Sequence, residues 1–181
     1  LKRFRKINKD GPDPLSPKIE PLGKKHDQVV FSCGDTALET YLKKRALQEA
    51  KKKIATTFVM ADSRSSAVIG YYRLSATSIL LADLPDQTAK KLPKYPHVPA
   101  ALLGGLAIDR RYQGSGYGGL LIIDALRRAL QATTECASYA VVVDAINERA
   151  RSFYEHYEFC AFPDRKLRQF LPMKTIADLF S

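Results

Sequence analysis

Between residues 100 and 131 the chain reads AALLGGLAIDRRYQGSGYGGLLIIDALRRALQ. An apolar run of strand length passes through a glycine-rich turn directly into a second apolar run. In that second run Asp124, Arg127, Arg128 and Gln131 fall at i, i+3, i+4 and i+7, which predicts a helix over 117–131 with one narrow wet stripe. Glycine inside a helix costs roughly 1 kcal/mol against alanine, so glycines at 114, 116, 118 and 119 call for a compensating use. A strand that ends in such a turn and opens a helix presents several unpaired backbone N–H groups at the positive end of a helix dipole. That is an anion site, and pyrophosphate is its usual guest. Missing side chains let phosphate oxygens approach the main chain. No Gly-Lys-Ser/Thr closes the stretch and the regular dinucleotide spacing is absent, which excludes two familiar phosphate loops.

The remaining elements place this unit in an α/β domain with a mixed sheet. Residues 1–25, rich in Pro, Gly and Lys, read as a basic, loosely held arm ahead of one domain over 26–181. Leu38, Tyr41, Leu42, Ala46 and Leu47 recur at helical spacing, so 35–51 is expected to be an amphipathic helix with a basic outer face. TTFVMAD and AVIGYYRLSATSIL read as strands joined by DSRSS. DLPDQTAKKLPKYPHVP carries four prolines and holds at most a short helix at 86–91. ASYAVVVDAI is a buried strand by composition. Asn147 then N-caps a helix carrying Ala150, Phe153, Tyr154 and Tyr157. A strand (LRQFLPM) and a short helix (TIADLF) follow.

Charge narrows the partners. Lys and Arg number 29 against 19 Asp and Glu, a net of +10. Six basic residues and one acid occupy 43–53, so a polyanion is an expected partner, nucleic acid ahead of membrane. Three scattered cysteines (Cys33, Cys136, Cys160) and three lone histidines (His26, His97, His156) form no metal-ligand spacing, so no metal is expected. The cysteine usage, the polar N-terminus and the lack of any membrane-length apolar run point to the cytoplasm.

Gln113, Gly116 and Gly118 fit the pattern Q/R-x-x-G-x-G/A, which resembles the coenzyme A pyrophosphate loop of the GNAT superfamily of N-acetyltransferases. SFYEHYEF at 152–159 resembles the same superfamily's Phe-Tyr-x-x-x-Gly-Phe segment, with Phe153, Tyr154 and Phe159 matching and Glu158 standing where glycine is usual. PLGKKHDQVVFSCGDTALETYL, GYYRLSATSI, PAALLGGLAID and LPMKTIADL extend the likeness to the GNAT-type toxins of bacterial toxin–antitoxin operons. Gly105 departs from that group, whose members often carry a basic side chain there.

The resemblance implies a GNAT fold, acetyl-CoA as cofactor and Tyr154 as the catalytic general acid. It implies cofactor binding by Leu106, Ala107 and Ile108 along the pantetheine arm, and by Gln113, Gly114, Ser115, Gly116, Tyr117, Gly118 and Gly119 at the diphosphate. Asn147 and Ser152 join that set. The implied substrate is the α-amine of aminoacyl-tRNA, whose acetylation blocks translation. A ribbon-helix-helix antitoxin and a homodimer are the implied partners, with no membrane association. For tRNA phosphates the basic candidates are Lys43, Lys44, Arg45, Lys51, Lys52, Lys53, Lys90 and Lys91. The strand ALLGGLAI carries no carboxylate, and Asp109 at its end is expected to cap the turn. Without a base, an α-amine of pKa about 7.7–8.0 is a better nucleophile than a lysine near 10.4, because about a tenth of it is already neutral at pH 7. The residues leave open a small amine or protein N-terminus as acceptor, a non-catalytic acyl-CoA or nucleic-acid module, and purely structural glycines.

Overall fold

A computed structural model describes residues 17–181. Seven strands form a sheet in the order β1-β2-β3-β4-β5-β7-β6: β1 Lys18–Pro21, β2 Thr56–Ala61, β3 Val68–Leu80, β4 His97–Ile108, β5 Ala140–Asp144, β6 Cys160–Phe162 and β7 Arg165–Pro172. The β4/β5 pair is parallel while β1/β2, β5/β7 and β6/β7 are antiparallel, so the sheet is mixed, as expected. The helices are α1 Thr36–Thr40, α2 Ala46–Lys51, α3 Asp86–Ala89, α4 Tyr117–Ala132, α5 Glu148–His156 and α6 Met173–Leu179.

Two compact units divide the chain. The first holds the described residues up to Arg73 together with Gly105–Ala125; the second holds Leu74–Gly104 and Leu126–Ser181. Phe31, Tyr41, Leu42, Val59, Val68, Tyr71 and Ala107 form the core of the first. In the second, Ile79, Leu84, Val98, Val142, Phe162 and Phe170 cluster, with Phe162 and Phe170 rings 5.0 Å apart.

Four expectations need correction. Residues 18–21 are not part of a loose arm: they pair with Pro21↔Phe58 through Lys18↔Ala61 as an edge strand, the sheet position that tolerates a proline. The rest of that arm, residues 1–16, lies outside the described residues. The helix over 35–51 is interrupted by a π-helical turn, Tyr41–Arg45, where the Ala46 amide reaches back to the Tyr41 carbonyl. The extra residue in that turn rotates α2 relative to α1, so Ala46 is buried while Leu47 is 39% exposed. The stripe on α4 is not wholly wet either, because the hydroxyl of the fully buried Tyr72 donates to the half-buried Asp124 carboxylate. Finally, β6 has no counterpart in the expected elements; its three residues carry too short a pattern to be read.

The end of α5 explains the spacing of Tyr154 and Phe159. Phe159 N donates to Tyr154 O and Glu158 N to Glu155 O, the crossed pair of bonds that closes a helix on a left-handed residue. Glu158 is that residue, at φ 68. The motif also brings its flanking side chains together, and the Tyr154 and Phe159 rings lie 5.5 Å apart. A side chain in this backbone region costs about 1 kcal/mol that glycine escapes. Glu158→Gly is therefore expected to stabilise the protein by about 1 kcal/mol, raising Tm by roughly 2–4 °C. An unchanged or lower melting temperature contradicts that account of the turn.

Candidate active site

The glycine-rich stretch sits between β4 and α4 in the first unit. Gly114 and Gly116 adopt φ 81 and 83, and a Cβ on either would meet nothing within 4 Å, so the turn is open on its outer side. Among the described residues the amides of Gly114, Ser115, Gly116 and Gly118 donate to no protein acceptor, whereas Gly119 N bonds Gly116 O and Gln113 N reaches Arg110 O. The free amides open a helix of 16 residues. An anionic diphosphate fits such a cradle, because it needs several donors at a bare backbone and a helix dipole of the right sign.

The cradle is held from beneath. Asp109, 1% exposed, accepts from the amides of Ser32 and Arg111 at 3.0 Å each and from the Arg111 guanidinium at 2.8 and 3.1 Å. Burial by itself would raise this carboxyl. The Arg111 guanidinium and the two amides more than offset it, leaving its pKa below the ordinary carboxylate value. The expected turn cap is therefore present, and it also fastens the Ser32 segment to the loop. Arg110 N donates to Ser32 O at 2.8 Å. Gln113 spends its side-chain amide on two carbonyls, Cys33 O and Ile108 O, at 3.0 Å each. Its side chain thus holds the turn.

Sequence reasoning missed Glu39, which completes this arrangement. Its Oε1 accepts from Ser32 Oγ at 3.0 Å and from the amides of Cys33 and Gly34 at 2.9 Å each. The Gly34 amide leads, with the Ser32 hydroxyl and Cys33 amide, in holding the Glu39 carboxyl below its ordinary pKa. Gly34, at φ 93, completes the tight turn, and a Cβ there would fall 2.8 Å from Arg110 Nε. The segment FSCG followed by Asp35, the N-cap of α1 through Leu38 N, therefore has a physical reason: it is the floor of the loop. Only the distance of Glu39 from the loop in the chain hid it.

Within β4, Gly105 stands at φ 60. The pairing of β4 with β5 runs from Ala100 to Leu102. Leu106–Ile108 follow the left-handed residue in the same unit as the loop.

Tyr154, Asn147 and Ser152 belong to the second unit, on or beside α5. Asn147 caps the helix, its Oδ1 accepting from Ala150 N at 2.9 Å. Ser152 is exposed. Tyr154 is 7% exposed and lies between Phe153 and Phe159, with centroids 5.4 and 5.5 Å away. Burial pushes its phenol well above the ordinary tyrosine pKa, so its proton is retained throughout the neutral range. The basic candidates Lys43, Lys44, Arg45, Lys51, Lys52 and Lys53 are exposed on the first unit, and Lys90 and Lys91 are exposed on the second. Among the described residues no group of three or more His, Cys, Asp or Glu could hold a metal ion, and no helix is long and apolar enough to cross a membrane.

A strand that ends in a bare-amide turn and opens a helix defines a class of proteins that hold an anionic diphosphate at such a turn. The pattern of the Acetyltransferase (GNAT) family matches residues 38–159, and the chain belongs to that family. It is thus an acetyl-CoA-dependent N-acetyltransferase. The chain is 33% identical over 169 residues to the probable toxin TacT of Sinorhizobium fredii, covering 89% of this chain and 93% of that one. It is 37% identical over 148 residues to the tRNA-acetylating toxin of Mycobacterium tuberculosis, covering 82% and 87%. Among solved structures, AtaT complexed with acetyl-methionyl-tRNAfMet superposes with a TM-score of 0.84 at 30% identity, covering 91% of this chain and 99% of that one. AtaT has also been solved bound to the C-terminus of its antitoxin AtaR, with a TM-score of 0.78 at 27% identity and coverage of 91% and 98%.

Removing the Glu39 carboxylate should loosen the loop without touching the chemistry. Glu39→Ala is expected to raise KM for acetyl-CoA by about tenfold with kcat little changed, since about 1.4 kcal/mol of positioning is lost. Glu39→Gln, which keeps an acceptor oxygen, should recover most of the affinity. Steady-state kinetics at varied acetyl-CoA test this, and an unaltered KM in the alanine variant refutes it.

Proposed function

We propose that this enzyme acetylates the α-amino group of aminoacyl-tRNA and so arrests translation, as the toxin of a bacterial toxin–antitoxin pair. The likeness to a tRNA-acetylating toxin over most of both chains supports the substrate class. One observation from the molecule itself carries the choice of amine: the carboxylate nearest the reactive strand, Asp109, is buried and committed to Arg111 and Ser32. It is not available as a base. An amine already partly neutral at pH 7 needs none, which favours an α-amine over a lysine.

Acetyl-CoA supplies a thioester whose carbonyl carbon accepts the amine and whose sulfur departs. The amides of Gly114, Ser115, Gly116 and Gly118 would hold the diphosphate, and the backbone of Leu106–Ile108 would hold the pantetheine arm. Leu106, whose peptide is turned by the left-handed Gly105, offers its N–H to the oxygen that becomes negative, a donor worth about 3 kcal/mol. Tyr154 donates its proton to the departing sulfur as the C–S bond breaks and the C–N bond forms. The surplus proton of the amine passes to solvent, from which the Tyr154 phenolate regains its own. Its raised pKa keeps Tyr154 in the donating form, at the cost of some driving force for the transfer. The amino acid is carried on an RNA whose phosphates meet the exposed lysines and arginines of 43–53 and 90–91. A ribbon-helix-helix antitoxin and a homodimer complete the reading.

Incubation with acetyl-CoA and total aminoacyl-tRNA, followed by mass spectrometry of the released amino acids, tests it. N-acetylated amino acids are expected. Label appearing only in free small amines or protein N-termini rules out the tRNA substrate. Tyr154→Phe should lower turnover by on the order of 10²–10⁴ with nearly unchanged acetyl-CoA affinity. The wild-type pH–rate profile should show no alkaline loss attributable to Tyr154 near pH 10, because its proton leaves only above the ordinary tyrosine value. Activity should also fall steeply with salt, by roughly a thousandfold between 50 and 200 mM if about six phosphates are contacted. Salt-insensitive kinetics contradict an RNA substrate.

A further inference from the structure

A cavity of about 360 Å³ lies in the second unit where β5 ends and β7 begins, lined by Asp144, Ala145, Arg165, Lys166, Leu167 and Arg168. The Ala145 N to Leu167 O hydrogen bond at 2.8 Å joins two of its lining residues, beside the register pair Asp144↔Arg168. The single acid is already used: Arg168 Nη1 lies 3.1 and 3.2 Å from the two Asp144 oxygens, with its guanidinium packed over Phe162. Arg165 and Lys166 are exposed and have no ion-pair partner among the described residues. Beside these two free cations stand apolar side chains that face water, Leu167 at 39% and, next along the chain from Ala145, Ile146 at 58%.

We infer that this cavity binds the unpaired 3′ end of the RNA substrate, with Arg165 and Lys166 on a phosphodiester and Leu167 against a base. The inference rests on the tRNA reading above and deepens it. Free cations alone would suit any anion, but cations next to exposed apolar carbon suit a ligand that offers a phosphate and a flat, weakly polar face in one unit. An unpaired nucleotide does so, and an acidic peptide does not. The exposed cations of 43–53 lie on the first unit and act on phosphates elsewhere along the RNA, in addition to the grip at this cavity.

Position within the unit agrees. The chain leaves the cavity lining at Ala145 and enters α5 within three residues, and Tyr154 lies seven residues beyond the Asn147 cap. At 1.5 Å per residue that is about 10 Å of axial rise, comparable to about three stacked nucleotides at 3.4 Å each. A phosphate gripped at the cavity thus leaves an end of suitable length to carry an aminoacyl ester toward the phenol.

The test uses a 5′-phosphorylated ACCA oligoribonucleotide with the full chain and with Arg165→Ala/Lys166→Ala, two surface changes that leave both cores intact. Wild type is expected to bind it, with the double variant weakened roughly tenfold at 50 mM salt and the slope of log affinity on log salt reduced by about 0.7. Leu167→Asp should weaken binding through lost base contact and added negative charge. With charged tRNA, the double variant should raise KM for tRNA while KM for acetyl-CoA stays constant. Equal binding by wild type and variant, or no binding by either, overturns the inference. So does a poly-glutamate peptide that binds as tightly as the oligoribonucleotide. If the oligoribonucleotide discriminates between the proteins but charged tRNA is never acetylated, the cavity assignment stands and the substrate reading falls.

Discussion

Two carboxylates on different elements, Asp109 at the end of β4 and Glu39 on α1, grip the same short segment, Ser32–Gly34. On this double grip the rest of the site depends. A loop can offer its amides to a ligand only if something other than those amides keeps it in shape. Here side chains do so: Asp109 through Arg111, and Gln113 through two backbone carbonyls. The charge-assisted bonds to the buried Asp109 contribute roughly 1.5–3 kcal/mol each and the neutral ones of Gln113 about 1 kcal/mol. The binding amides are thereby left unspent, and the loop need not be ordered by its ligand.

The phenol is set by a second backbone device. The crossed hydrogen bonds that close α5 bring Tyr154 and Phe159 ring to ring, so the geometry that ends the helix also fixes the Tyr154 ring. Glu158 bears the strain of that closure. Desolvation among aromatic rings keeps the phenol protonated and makes it a weaker acid. Asp109 shows the opposite tuning: its partners keep it ionised and occupied.

Much of this was legible because it is local. The strand, the bare turn and the helix after it read directly from hydropathy and glycine spacing. The Asn147 cap, the strands at 56–62 and 67–80 and the Tyr154 helix were equally plain. Errors arose where a residue's partner is distant or where one residue shifts a register. A π-helical turn moved Leu47 off the core face, and no pattern of period 3.6 announces such a turn. Lys18–Pro21 looked like an arm because an edge strand beside a proline has no signature of its own. Asp124 looked solvated because its partner, Tyr72, lies far away in the chain on β3.

Residue order alone determined that this chain carries an anion-binding strand–loop–helix, a phenol on a capped helix and a surplus of positive charge, because each is written within a few neighbouring positions. Only the tertiary structure decided which carboxylate holds the loop's floor, which cations remain unpaired in a cavity, and that Gln113 and Asp109 serve the protein before any ligand. The reason is physical: propensity and spacing act over one or two turns of chain, whereas hydrogen-bond partners and burial are settled by residues as far apart as the 80 positions that separate Gln113 from Cys33.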